Sequence, residues 1–592
     1  MIKTLSQLFL NTIKSYPKPD FMLYKKEGKY IPISTGEWGD RVKYLALGLK
    51  DLGFQSGDKM ILLSENSPEW VTSDFASLCL GGITVPIYNS LVPEQMKYII
   101  DNSDAKFLVC SSPELWEKIE VIRSELVKVD HFITFQKTAS DGVLTLKEVF
   151  EKGKTLDQKD PGLFEKTALA VTPDDVASII YTSGTTGLPK GVLLTHDNFM
   201  SNITEVLKLV DITEKDTVLS FLPLSHVLER MVTFAYIHQG CSIAYAESLE
   251  TLGENLLEVR PHIMVNVPRV LEKIYAKVID NVLASSSLKR KIFFWAVKVG
   301  KEYGRKKLNK EPISGGLKFK RKVAHKLVFS KIIAKTGGRV RFFVSGGAAL
   351  AKDIAEFFYA IGIVVLEGYG LTETSPVISF NTFDNLKFGT VGKILPGVEV
   401  KIVEDGEILA KGPNIMKGYY RMDEATAEVM DGDWFFTGDI GHLDDDGFLV
   451  ITDRKKDIIV TAGGKNVAPQ QIENLVKTNP YISNIVVVGD QRRFISALVI
   501  PEYEKLEQYA ALNKIAFESH ADLAVNEQII SFIESEIDRM TPSLASYEKV
   551  KKIVLLDREF EIDKGEITPS MKVKRNIVED KYSKEINKLY AD

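Results

Sequence analysis

The chain has 592 residues, too many for one hydrophobic core, so a large domain carrying a smaller one is expected. With 45% hydrophobic and 26% charged residues it is neither a disordered nor a fibrous chain. Its three cysteines, Cys79, Cys110 and Cys241, are too few and too scattered for a disulfide framework or a zinc site, and suit a reducing cytoplasm.

The opening segment, MIKTLSQLFLNTIKSY, predicts an amphipathic helix, because Gln7, Asn11 and Lys14 interrupt what would be the apolar centre of a signal peptide. From about residue 55 to 390, short apolar runs alternate with amphipathic stretches and Gly-rich turns, the pattern of repeated strand–helix units around mostly parallel sheets. Strands are predicted at 59–63, 106–110, 177–181, 262–267, 341–344 and 362–366. The longest apolar stretches fall short of the roughly 18 residues that span a bilayer. Between 289 and 341 the chain carries 18 Lys and Arg against only Glu302 and Glu311, although its net charge is -5. Ile292, Trp295, Ala296, Val299 and Tyr303 recur there at helical spacing, which predicts a cationic amphipathic surface suited to peripheral contact with an anionic membrane. A solvated pair of helices is the plainer alternative, and no recognition motif accompanies the charge to favour nucleic acid. Beyond 390 the pattern becomes alternating, with hairpins at 398–411, turning at Glu404-Asp405-Gly406, and at 484–501, turning at Gly489-Asp490-Gln491. The charged DRKKD segment, 453–457, divides a body of residues 1–452 from a tail of residues 458–592 and is the predicted hinge.

The strongest local signal is YTSGTTGLPKG at 181–191, which follows a strand-like run. Glycines at Gly184 and Gly187 let backbone N–H groups approach phosphate oxygens, Thr182, Ser183, Thr185 and Thr186 add hydroxyl donors, and Lys190 adds charge. It is not a Walker A loop, because Lys190 follows Pro189 and precedes Gly191. Alone, such a turn is as often a plain tight loop. Glu373 lies in a Gly- and Thr-rich turn after a strand, a fitting place for one carboxylate to hold Mg2+ against nucleotide oxygens. Tyr369 offers a face for adenine, Gly346 and Gly347 allow flat approach of a base, and Asp439 offers a carboxylate for ribose hydroxyls with Arg454 as a downstream donor.

These segments in order, with GYGLTET at 368–374, TGD at 437–439, LPLSHVLER at 222–230, SGGAAL at 345–350, DRKKDIIVTAGGKNVAPQQIE at 453–473 and TPSMKVKR at 568–575, resemble the adenylate-forming superfamily over nearly the whole chain. The resemblance implies a large N-terminal α/β domain of mostly parallel sheets with helices plus a β-rich subdomain, and a small, mobile α+β C-terminal domain. It implies ATP, Mg2+ and coenzyme A, with Thr185 and Glu373 on the metal, Gly370 and Thr372 beside the nucleotide, and His226 flanking the acyl carboxylate. It makes Lys572 the catalytic lysine, with Lys574 a nearby competitor; the family's Ser-Gly-Lys is Ser570-Met571-Lys572 here. It places the hinge at Lys456 and presents Lys465, in the Gly463-Gly464-Lys465-Asn466 loop, to the thiol. The basic insertion between 268 and 345 resembles long-chain acyl-CoA synthetases, so a fatty acid is the favoured substrate, with a long-chain fatty acid–CoA ligase the expected enzyme and an acyl-acyl-carrier-protein synthetase its nearest rival. Chain length and oligomeric state, a homodimer included, stay open.

Overall fold

The first helix forms at Leu5–Ser15, where the Thr4 hydroxyl accepts from Gln7 N at 3.1 Å and buries Leu5, Leu8 and Phe9 on one face. In the same way Ser34 and Ser67 cap Thr35–Asp51 and Pro68–Cys79, and Pro68 suits a first turn where no backbone donor is needed. This computed structural model describes residues 2–182, 188–542, 544–561, 564–568 and 572–591.

Two large mixed sheets dominate. The first runs through nine strands, whose centre is the parallel set Ser242–Tyr245, Thr217–Ser220, Ile263–Asn266, Phe342–Ser345 and Val364–Gly370. The second has eight, parallel through Val176–Thr182, Ile83–Ile87, Lys59–Leu63, Phe107–Cys110, His131–Thr134 and Val143–Thr145, with Lys190–Thr195 antiparallel beside Val176–Thr182. Helices fill the space between the sheets, and Phe9, Trp38, Phe75, Phe199 and Phe234 meet there, with one tilted pair and the others edge to face, at 5.0 to 5.8 Å. A five-stranded, largely antiparallel sheet follows, built on Glu399–Ile402, Glu407–Lys411 and Trp434–Leu443. The tail carries its own three-stranded sheet, Ile482–Val488, Ser496–Pro501 and Ile553–Leu555, with two apolar clusters drawn from residues 459–590. The α/β body, β-rich subdomain and small α+β tail are thus all present.

Several expectations need adjustment. The last predicted strand starts two residues late, because Gly362 closes the helix Lys352–Ile361 at φ 109, and it then runs on to Gly370. The basic stretch forms the helices Ser287–Leu308 and Gly315–Ala324, but the face it buries is Phe293, Ala296, Val299, Gly300 and Gly304. Trp295 belongs to the outer face, with Phe294. The reason is a close crossing: a Cβ on Gly300 would lie 2.6 Å from the Ala360 carbonyl oxygen. The three cysteines are buried and unpaired. Among the described residues no helix is long and apolar enough to cross a membrane.

Candidate active site

Strands that end at one level present their last residues to one crevice, as open α/β sheets do beyond their carboxyl ends. Phe342–Ser345 ends at Gly346 and Gly347, Val364–Gly370 ends at Tyr369 and Gly370, and Val176–Thr182 ends at Thr182. Thr182 pairs across the hairpin with Lys190, its hydroxyl 3.4 Å from the Lys190 carbonyl. Ser183, Gly184, Thr185, Thr186 and Gly187 lie outside the described residues. Gly370 is required by packing, since a Cβ would sit 1.6 Å from the Pro376 carbonyl oxygen, whereas Gly346 would press its Cβ on Leu228 at 3.1 Å.

The β-rich subdomain supplies the opposite wall. Asp439 and Arg454 face each other in the antiparallel register of Trp434–Leu443 and Leu449–Arg454, and Arg454 Nε binds Asp439 Oδ1 at 2.8 Å. Tyr369 donates its hydroxyl to Asp439 Oδ2 at 2.7 Å, so this ring is anchored to the carboxylate expected to meet ribose. Glu373, in the turn Thr372–Thr374, accepts from the Tyr419 hydroxyl at 2.9 Å, and the Lys190 ammonium lies 5.0 Å from the Tyr419 ring centre. Tyr419 links the lysine of the glycine loop to the Glu373 carboxylate; sequence reasoning missed it, because a lone tyrosine pair in a turn carries no pattern. Among the described residues no group of three His, Cys, Asp or Glu side chains could hold a metal, so a cation at Glu373 would draw most of its other ligands from phosphate and water.

His226 caps the helix Val227–His238, accepting at Nδ1 from Leu228 N at 3.2 Å, and burial together with Lys572 pushes its pKa down to about 4, so it is neutral at pH 7. The same helix is held by Arg230, which is wholly buried and binds Asp74 with Nε 2.9 Å from Oδ2. Arg230 also donates to Ser178 in the strand that leads into the glycine loop. One buried ion pair thereby fixes the positions of both His226 and the strand that leads into the glycine-rich segment.

Lys572 enters from the tail. Thr568 N donates to the Lys572 carbonyl at 2.7 Å and Lys572 N to the Thr568 hydroxyl at 3.0 Å, while Arg575 anchors the segment on Glu473 at 2.8 Å and on the Val487 carbonyl at 2.6 Å. Lys572 keeps contact with solvent, yet the surrounding walls withdraw enough water to push its ammonium down to about 8; Arg454 adds repulsion, and Asp439 and Glu373 oppose it. Its ammonium lies within electrostatic reach of His226, Asp439, Glu373 and Arg454, whereas Lys574 stands at the N-cap of the helix Arg575–Lys581. Lys456, in the turn Lys455–Asp457, is lowered by burial and by Arg454. Lys465 is not brought to this cluster: it is exposed, its ammonium 5.8 Å from the Tyr547 ring centre. Tail and body touch through Arg269, which donates to the Ser483 carbonyl at 2.9 Å and hydroxyl at 3.1 Å, and through Lys505–Asp280 at 2.7 Å.

A two-sheet α/β body with a β-rich flank and a small tail that delivers a lysine into a nucleotide-type crevice defines the architecture of an adenylate-forming enzyme. Residues 11–420 match the AMP-binding enzyme family and residues 456–592 its C-terminal domain, so this chain belongs to the AMP-binding enzyme family. The long-chain-fatty-acid–CoA ligase FadD15 of Mycobacterium bovis is 35% identical over 581 residues, 97% of this chain and 95% of that protein. The long-chain-fatty-acid–CoA ligase ACSBG2 of Xenopus laevis is 31% identical over 625 residues, all of this chain and 84% of that one. The anthranilate CoA ligase AuaEII, solved with anthranoyl-AMP, superposes with a TM-score of 0.76 at 19% identity over 99% of this chain and 98% of that chain.

Proposed function

We propose that this chain is an ATP-dependent long-chain fatty acid–CoA ligase. The observation that carries the reading is the convergence of Lys572 from the tail on Glu373, Asp439, Arg454 and His226 of the body; the sequence similarity to long-chain ligases supports the substrate class. In the first half-reaction a carboxylate oxygen of the acid bonds to the α-phosphorus of ATP while the bond to the bridging oxygen breaks and pyrophosphate leaves. Both reactants are anions, so the enzyme must position them and neutralise charge. Lys572 supplies a movable cation, Asp439 and Arg454 hold the ribose side, Tyr369 and Gly346-Gly347 border the base, and neutral His226 flanks the acid without adding charge. Glu373, with Thr185, would hold Mg2+, which supplies charge neutralisation at the phosphates. In the second half-reaction the thiol sulfur of CoA bonds to the acyl carbon, the bond to AMP breaks, and the thiol proton passes to solvent.

The Gly463-Gly464-Lys465-Asn466 loop is exposed while Lys572 occupies the crevice, which supports a turn of the tail, residues 458–592, about Lys456 between the half-reactions. The apolar tail of the acid would gain roughly 0.8 kcal/mol per buried CH2. The basic helices support a cytoplasmic enzyme that meets the inner face of an anionic membrane: Leu288, Phe294, Trp295, Phe319 and Leu327 are exposed among Lys289, Lys291, Lys318, Lys320 and Lys322. Arg321 is not part of that surface, because it lies half-buried 4.4 Å from the Phe329 ring centre.

The deciding experiment is pyrophosphate release from ATP and Mg2+ across saturated acids of increasing length, with and without CoA, followed by mass analysis of products. Release that peaks with long acids and yields acyl-CoA supports the reading. Adenylate that accumulates without thioester refutes CoA as acceptor and points to an acyl carrier protein. For the membrane, Lys318, Lys320 and Lys322 changed together to Gln should weaken binding to anionic vesicles without changing turnover on short soluble acids; unchanged vesicle binding would refute that contact.

A further inference from the structure

The turn that carries Glu373 is held by buried side-chain amides. The chain leaves the strand Val364–Gly370, turns, and returns antiparallel to it as Val377–Phe380. On its other side the returning strand pairs with Lys393–Ile394 only from Ser379 onward, so the backbone of Val377 has no strand neighbour there. Asn202 takes that place: it donates from Nδ2 to the Val377 carbonyl at 2.9 Å and accepts at Oδ1 from Val377 N at 3.2 Å, as a peptide group would. Asn414 donates from Nδ2 to the same carbonyl at 3.1 Å and to that of Thr374 at 2.9 Å. Asn202 and Asn414 are each 1% exposed, so neither can touch a ligand in the crevice.

The same amides tie this turn to the hairpin of the glycine loop. Asn198 and Asn202 stand one turn apart on the helix His196–Leu209, which begins where the hairpin strand Lys190–Thr195 ends. Asn198 accepts at Oδ1 from Thr195 N at 2.9 Å and donates from Nδ2 to the Pro413 and Ile415 carbonyls at 2.7 and 2.9 Å. Beyond Asn414 the chain bonds first to the Glu373 turn and then to the hairpin: Met416 N donates to the Glu373 carbonyl at 2.8 Å, Lys417 N to that of Leu193 at 3.0 Å and Tyr420 N to that of Gly191 at 2.7 Å. Tyr419, the donor to the Glu373 carboxylate, belongs to this segment. Three asparagines thus join the carboxylate, its tyrosine and the Lys190 strand into one frame.

We propose that Asn198, Asn202 and Asn414 are positioning residues for the metal–nucleotide complex: without touching it, they hold the Glu373 turn against the hairpin so that the carboxylate and the glycine loop engage one Mg2+–ATP. The inference rests on the ligase reading above and deepens it. An apolar side chain of similar size would fill the same space but leave the Thr374 and Val377 carbonyls short of donors, and the turn would lose the restraint that aims the carboxylate.

The test uses the full chain with Asn202→Ala and, separately, Asn414→Ala, the milder change because Val377 keeps its pairing with Asn202. The Mg2+ concentration for half-maximal pyrophosphate release should rise roughly 10- to 100-fold, the usual effect of losing a group that orients a metal ligand. Titration calorimetry with ATP and no fatty acid should show the gain in affinity on adding Mg2+ reduced by a similar factor. Thioester formation from supplied acyl adenylate should be largely spared, which reports that the variants are folded. Asn414→Leu, which fills the space but donates nothing, should behave as Asn414→Ala, and Asn414→Ala should add little to Glu373→Gln, because it acts through that carboxylate. An unchanged Mg2+ requirement, equal losses in both half-reactions, recovery in Asn414→Leu, or losses that add to those of Glu373→Gln would overturn the positioning role. Failure of the wild-type enzyme to release pyrophosphate with any fatty acid would overturn the ligase reading instead, and the calorimetry, which needs no acid, would still decide the role of the asparagines.

Discussion

Lys572 offers a sharp test, because its charge is set by the crevice and lies within reach of ordinary buffers. Its ammonium stands at about 8 against an ordinary 10.5, pushed down first by burial and then by Arg454. The cation is therefore complete below that value and lost as pH rises through it: about nine in ten side chains are charged at pH 7 and about one in ten at pH 9. Acid-dependent pyrophosphate release measured as kcat/KM for ATP reports the free enzyme, and should fall about tenfold between pH 7 and pH 9. At saturating ATP the added phosphate charge should move that limb to higher pH. Lys572→Ala should lower the reaction by about a hundredfold or more, as single electrostatic groups at developing charge do, and should abolish the limb. Lys572→Arg should also remove the limb, because a guanidinium stays charged throughout this range. Thioester formation from supplied acyl adenylate should be largely spared in both variants. Equal losses in both half-reactions, or a limb that persists in Lys572→Ala, would refute the assignment and the alternation of the tail with it.

Glu229 is buried, and burial raises its carboxyl from 4.5 to about 8. A folded-state value above the unfolded one means stability present at low pH and lost as pH rises from about 4.5 through 8. The midpoint of thermal unfolding should fall between pH 5 and pH 8, and Glu229→Gln should flatten that slope in calorimetry. Asp74→Ala leaves the buried Arg230 uncompensated and should destabilise the chain by about 3 to 5 kcal/mol, read as a shift in the urea midpoint; His226 and the glycine loop lose their common support with it. Asp439→Asn removes the charge that holds Arg454 and should raise the KM for ATP by about tenfold or more, while the KM for CoA in thioester formation from supplied adenylate stays as it was.

The site was legible in the sequence wherever chemistry demanded a local string. The candidate residues of the glycine loop, the Glu373 turn and Asp439 stand in local strings that can be read without the fold, and Lys572 is marked by the resemblance of its segment to the adenylate-forming superfamily. The strands followed for the same reason: a buried parallel strand must be an apolar run, and 59–63 coincides with Lys59–Leu63 to the residue. Residues that act across the fold left no such trace. Tyr419 lies 46 positions from Glu373, Arg230 lies 156 from Asp74, and Arg269 lies 214 from Ser483. Each of these pairs is set by where sheets and helices cross rather than by spacing along the chain.

The basic stretch shows the same division. Composition alone announced its charge, but helical periodicity could not say which stripe faces inward, since Phe293 to Trp295 are three apolar residues in a row; the glycine-lined crossing at Gly300 and Gly304 decided that Trp295 faces out and Phe293 in. A cleft lined by Arg492, Arg493 and Lys552 likewise exists only because a hairpin turn and the residue 60 positions after Arg492 meet the end of the last helix, Ser583–Tyr590. Local sequence thus determines which chemical groups this chain carries and in what order, because hydrogen-bonding turns and apolar periodicity act over a few residues. Only tertiary packing determines which of those groups share a cavity, because charge, burial and reach depend on distances through space that the order of residues does not contain.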